Sequence, residues 1–89
     1  MRRNIRFSEH ALTRIEQRGA TQEEVVAAIE HGQLAVSREG RVAFQRNFPY
    51  HAWWKGKFYE TKQVKPIVAE QGNDLIVVTV YVFYLGGGK

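Results

Sequence analysis

Residues Ser8 to Gly19, S-E-H-A-L-T-R-I-E-Q-R-G, place a helix start, a helix stop and a repeated polar pattern in one span. Ser8 is a side-chain N-cap, and Gly19 is suited to a left-handed C-cap. Ala11, Leu12 and Ile15 form an apolar face. His10, Arg14 and Arg18 recur every fourth position, which at about 100° per residue leaves them in one slowly rotating stripe beside it. An imidazole next to two guanidiniums suits an anion or a phosphate. The plain alternative is a solvated basic face paired with Glu9, Glu16 or a neighbour. Like charges at i,i+4 cost about a few tenths of a kcal/mol, which a surface helix tolerates.

Downstream, Thr21-Gln22-Glu23-Glu24 is a capping box that opens a second helix. Val25, Ala28 and Ile29 share one face of it, Val26 lies at the flank, and Gly32 ends it after His31. Residues 1–32 therefore read as mainly helical, a hairpin preceded by an extended lead-in, Met1 to Phe7, in which Ile5 and Phe7 can form an edge strand. From Leu34 the period changes from 3.6 to 2. Leu34 to Ser37 and Arg41 to Phe48 are predicted strands joined through R-E-G, with Gly40 available for positive φ. The run P-Y-H-A-W-W-K-G-K, from Pro49 to Lys57, reads as a loop with some strand character. Phe58 to Val64 and Pro66 to Glu70 are extended, with an interruption or a bulge expected near Lys65-Pro66 because proline removes a ladder donor. Leu75 to Leu85 is apolar on both faces and is predicted to be a central strand. Strict alternation puts Ile76, Val78, Val80, Val82 and Tyr84 on one face, and Leu75, Val77, Thr79, Tyr81, Phe83 and Leu85 on the other. Residues 86–89 form a frayed tail. The expected class is α+β, one domain, with the helical hairpin packed on an antiparallel sheet of about four strands.

The chain has 89 residues, no cysteine and a formal net charge of +4. One modest core is expected, without disulfides or thiolate chemistry, in a reducing cytosol. No leader-like run or stretch long enough for a membrane span is seen. The basic balance, with a pI near 9.7, favours an acidic partner, nucleic acid first. A second candidate surface interleaves Lys55, Lys57, Lys62 and Lys65 with Trp53, Trp54, Phe58 and Tyr59, as single-strand-binding surfaces do, although aromatics in a small β domain more often build its core. Thr79 and Tyr81 could bring hydroxyls to a phosphate or simply pack. His31 suits a helix C-terminus and His51 falls in the proposed loop. The three histidines lack metal-ligand spacing, so neither a metal nor another cofactor is expected.

The opening F-S-E-H-A-L-T-R-I-E-Q-R-G-A-T-Q-E-E-V-V-A-A-I-E and the later G-N-D-L-I-V-V-T-V-Y resemble a family of small, largely uncharacterised bacterial and phage domains. The pattern is a serine, then His-Ala, arginines four and eight residues after the histidine, a glycine and a capped second helix. Ala20 stands where that family commonly has isoleucine or valine. The family is similar in layout to the barnase, EndoU, colicin and RelE group of metal-independent ribonucleases, many of them toxins held by antitoxins. The resemblance implies an active-site face of His10, Arg14 and Arg18, with Thr79 as a nearby hydroxyl; Tyr81 joins it by strand alternation. It implies RNA as substrate, cleavage through the substrate's own 2′-hydroxyl, and a lysine such as Lys62 or a hydroxyl completing the site. Lys55, Lys57, Lys62, Trp53 and Tyr59 would then bind the nucleic acid. The other reading is a binding module that grips RNA, DNA or a protein without chemistry.

Overall fold

The computed structural model describes residues 4–35 and 38–86. In chain order the elements are β1 (Asn4–Phe7), α1 (Glu9–Arg18), α2 (Gln22–His31), β2 (Gln33–Ala35), β3 (Arg41–Trp54), β4 (Lys57–Gln71) and β5 (Asp74–Leu85). The class is α+β, as the change of period predicts. In place of the expected antiparallel sheet of about four strands, the sheet has five, in the order β1-β5-β4-β3-β2, and it is mixed: β1 runs parallel to β5 while the other pairings are antiparallel. A parallel pairing is open to β1 because the rest of the chain, and no tight hairpin, separates it from β5.

Both helices begin as their sequences dictate. Ser8 caps α1 by accepting the Ala11 N–H, and Gly19 ends it at φ 78°. Thr21 and Glu24 exchange side-chain-to-backbone bonds at 3.1 and 3.0 Å, completing the capping box of α2. Gly32 ends α2 at an ordinary φ, so its glycine is needed for space: a Cβ there would lie 2.4 Å from the carbonyls of Ala28 and Gln45. The helices bury Ala11, Ile15, Val25 and Ile29 against Val64, Val68, Val77 and Val80 of the sheet. Each fully buried valine or isoleucine contributes about 1.5–3 kcal/mol of transfer free energy, which makes this small cluster the main stabilising term.

Four further expectations for the sheet are corrected. Pro49 to Trp54 is strand, and only Lys55-Gly56, at φ 51° and 84°, turns the chain between β3 and β4. A two-residue turn with both residues left-handed matches the twist of its strands, and the extra residue is absorbed as a bulge between Pro49 and Ala52, where His51 has φ 49°. Second, β4 passes through Lys65-Pro66 without interruption, and the irregularity near them lies in its pairing with β5, between Ile67 and Val68. Its pairing with β3 steps from Ala43↔Ile67 to Arg46↔Val64, so Pro66 falls where no ladder pair has to form on that side, while its ring is fully buried.

The third correction concerns β5, whose alternation changes at Val78. Val68 pairs with Val77 and Ile67 with Thr79, leaving Val78 as the extra residue of a bulge. Val77, Val80, Val82 and Tyr84 therefore share the helix-facing side, and Thr79, Tyr81, Phe83 and Leu85 the opposite side. The fourth is that β5 is central only through its first four residues: β1 pairs with Asp74 to Val77 and no further. The predicted strand end at Val36-Ser37 and the tail from Gly87 lie outside the described residues.

Candidate functional site

The edge of β5 beyond Val77 is met by α1, and the bulge is where the two join. The Ser8 N–H donates to the Val77 carbonyl at 3.1 Å, and the Ser8 hydroxyl donates to the Val78 carbonyl at 3.1 Å. At the other end of the helix the Tyr84 hydroxyl donates to the Arg18 carbonyl at 2.6 Å. Helix and strand edge are thus pinned at both ends, and the rotating stripe of α1 is set along that edge.

The structure brings Arg18 and Tyr81 together. Arg18 Nη1 donates to the Val80 carbonyl at 2.7 Å, and the same guanidinium lies 5.4 Å from the Tyr81 ring centroid. It reaches round the strand edge, since Val80 points to the helices and Tyr81 to the other face. One bond and one ring hold it, and its remaining N–H groups can meet a ligand. Thr79 precedes Tyr81 by two residues on the same face, and Lys65 stands directly across from Tyr81 on β4. Arg14 is half-buried, with Nη1 donating to Gln17 Oε1 at 2.7 Å, and His10 is exposed in the first turn. Successive members of the stripe advance by about 40° around the helix, so His10 faces solvent while Arg18 turns onto the sheet.

The second candidate surface is divided by the fold. Trp53 is 69% exposed, with only Phe58 set edge-on to it at 6.1 Å. Trp54 instead stacks on Tyr84 at 4.9 Å, and Tyr50 and Tyr59 lean on the same ring. Lys55 lies over Trp54 at 5.4 Å and Lys57 over Tyr59 at 5.6 Å, so both ammoniums sit against rings of this box. Lys62 departs furthest from its expected place. It is 5% exposed, donates to the Gly19 carbonyl at 2.9 Å, and pairs with Glu24 at 2.9 Å over the Tyr50 ring. Its strand pattern is the reason: positions 62, 64, 66 and 68 of β4 all face the helices. Lys62 thus holds the junction between the helices and is not a surface contact for nucleic acid.

Tyr84 is the residue that the sequence reading passed over. It anchors the aromatic box, and burial, with Tyr50 and Glu24 nearby, pushes its phenol from 10.0 up to about 12. Its position on the helix-facing side, last in the run Val80-Val82-Tyr84, was the available signal. Gly19 belongs to the same assembly, for a Cβ there would sit 2.6 Å from both the Trp54 ring and the Tyr84 hydroxyl. Among the described residues no group of three or more histidine, aspartate or glutamate side chains could hold a metal ion. No helix among them is long and apolar enough to cross a membrane.

With this geometry in place, the chain belongs to a family known as a domain of unknown function, DUF4258, whose model matches residues 7–82. The match spans the Ser8 cap, the whole arginine stripe and the bulged strand through Tyr81. No curated protein and no solved structure matches the chain.

Proposed function

We propose that this member of the DUF4258 family is a metal-independent endoribonuclease of the toxin type, acting at the edge where α1 meets β5. The observation that carries the reading is the Arg18 guanidinium, held at 2.7 Å by the Val80 carbonyl and laid over Tyr81. A cation fixed before substrate arrives is suited to the extra negative charge of a phosphorane, because no reorganisation is needed as that charge develops. Arg14 lies one turn along the same face as a second cation. His10, exposed at the end of the stripe, takes the proton from the 2′-hydroxyl as its oxygen bonds to phosphorus. The bond to the 5′-oxygen breaks, and the Tyr81 hydroxyl returns a proton to the leaving oxygen; a 2′,3′-cyclic phosphate and a 5′-hydroxyl result. Lys62, already bonded to Gly19 and Glu24, takes no part. A protein antitoxin in the cytosol is the partner this reading implies.

The second reading, a non-catalytic RNA-binding module, is favoured by the exposed rings of Trp53, Tyr81 and Phe83. An RNA-cleavage assay in EDTA separates the two. Cleavage by the wild-type protein with a cyclic-phosphate product, abolished in a folded His10→Ala variant, is the expected result. RNA binding without cleavage would give the second reading, and cleavage undiminished in His10→Ala would remove that residue from the mechanism.

A further inference from the structure

The sheet face turned away from the helices carries aligned rows of side chains, because residues in register on neighbouring strands share a face. Phe83 pairs with Gln63, which pairs with Asn47, giving one row across β5, β4 and β3. Tyr81 and Lys65 form the next row. The rings of Tyr81 and Phe83 stack at 6.5 Å with an interplanar angle of 20°, and each is 44% exposed. Beside Phe83, Gln63 Nε2 donates to Asn47 Oδ1 at 2.9 Å in the open. Both described helices pack on the other face, and from them the Arg18 guanidinium reaches round to the Tyr81 ring, 5.4 Å from its centroid.

We propose that this face is the base-reading platform of the RNA site. The proposal rests on the endoribonuclease reading for its ligand and extends it from the strand edge to the sheet. A phosphate held by Arg18 at the β5 edge leaves the adjoining nucleotides over β5 and β4. There Phe83 offers a flat apolar surface next to the Arg18-covered ring of Tyr81, and exposed rings on a sheet are how such platforms stack unpaired bases. Lys65, across from Tyr81 and next to Gln63 on the same face of β4, supplies a cation for the next phosphate. The Gln63–Asn47 amides are tied to each other by one bond, which fixes their orientation and leaves one oxygen and the outer N–H groups for a base edge. A fixed order of donor and acceptor discriminates between bases where freely rotating amides would not. Phe83, Gln63 and Asn47 are thus specificity-determining residues, and Trp53, with its own exposed ring at the hairpin tip, lies outside the rows.

The test uses wild-type protein and 2′-O-methyl octaribonucleotides of A, C and U, which cannot cyclise and therefore report binding alone, read by fluorescence anisotropy. The wild type is expected to bind and to prefer one base. Phe83→Ala should weaken every oligomer by roughly tenfold, the usual effect of losing one stacked base. Gln63→Ala and Asn47→Ala should narrow the preference while leaving the weakest oligomer's affinity in place, with melting temperatures confirming the fold. Wild-type binding that all three substitutions leave unchanged, or that shows no base preference, overturns the platform and leaves the endoribonuclease reading standing. Failure of the wild type both to bind these oligomers and to cleave RNA overturns both.

Discussion

The Ser8 hydroxyl donates to the carbonyl of Val78, the bulged residue of β5, at 3.1 Å, and accepts the Ala11 N–H at 3.0 Å. One oxygen therefore caps the helix and satisfies the strand's irregularity. The first prediction follows from that double use. Ser8→Ala loses the cap, for about 1–2 kcal/mol, and also leaves a part-buried carbonyl without its donor. Ser8→Asp keeps the cap but, as a carboxylate, has no proton for Val78. Chemical denaturation should rank the stabilities wild type, Asp, Ala; an aspartate variant equal to wild type would show that the bulge bond contributes nothing.

Gly19 should be far less replaceable than Gly72. Both have positive φ, 78° and 61°, so either alanine variant loses about 1 kcal/mol to backbone strain. At Gly72 a Cβ meets nothing within 4 Å, whereas at Gly19 it would press on Trp54 and the Tyr84 hydroxyl. Gly19→Ala should therefore be more destabilising than Gly72→Ala, and should change the near-ultraviolet circular dichroism of the aromatic box as well. Equal melting temperatures for the two variants would contradict this.

The helical third of the molecule was legible because caps and glycines act locally: Ser8, Gly19 and the Thr21–Glu24 box depend on neighbours within four residues. The alternation of β5 does not follow from its own residues, because the bulged Val78 is bonded through its carbonyl to the Ser8 hydroxyl, a partner 70 residues away in the chain. Lys62 was misread for a related reason. Residue type argued for the surface, while its place in the buried series Val64-Pro66-Val68 argued for the interior, and position prevailed because Glu24 and the Gly19 carbonyl were there to receive the charge. Of the candidate site, the His10-Arg14-Arg18 stripe could be read from spacing, but the ring that meets Arg18 depended on strand parity across the bulge. Tyr81 shares a face with Thr79, as simple alternation predicts, because the strand beyond Val78 is regular.

Alkaline pH should weaken the fold through Tyr84. Its phenol is held at about 12 against an ordinary 10.0, so the folded state favours the protonated form. That contribution is complete below pH 10 and is lost as the pH rises from about 10 towards 12, where the unfolded chain releases the proton more readily. Tyr84→Phe removes the bond to the Arg18 carbonyl, costing about 1 kcal/mol at neutral pH. It should also flatten the decline of melting temperature above pH 10 relative to wild type. Parallel curves for the two proteins would rule Tyr84 out as a source of the alkaline loss.

The Lys62–Glu24 pair should behave as a part-buried unit. Lys62→Met strands the Glu24 carboxylate and the Gly19 carbonyl, and breaking such a pair on one side typically costs about 3–5 kcal/mol when it is fully buried. Glu24 retains some exposure, so the lower end of that range is expected. Adding Glu24→Gln removes the stranded charge while preserving the capping bond to the Thr21 N–H, and should restore part of the loss. A double-mutant cycle measures this directly. Additivity of the two single effects would mean that the ion pair carries no coupling.

On the proposed endoribonuclease reading, substitutions of Arg18 should separate stability from function. Its two contacts make different demands: the Val80 carbonyl needs only an N–H donor, while Tyr81 and a phosphate favour a planar fork. Arg18→Lys can still supply the donor, so its unfolding free energy should fall by less than about 0.5 kcal/mol. Arg18→Ala leaves Val80 unpaired and should lose about 1–2 kcal/mol. RNA cleavage should not follow that order. The ammonium cannot offer two parallel N–H groups to one phosphate, so Arg18→Lys should lose about tenfold or more in kcat/KM while remaining folded, a loss of at least ~1.4 kcal/mol in transition-state stabilisation. If Arg18→Lys cleaved as wild type does while Arg18→Ala failed only in proportion to its instability, Arg18 would be a structural cap on the edge of β5, and the phosphate would have to be held by Arg14.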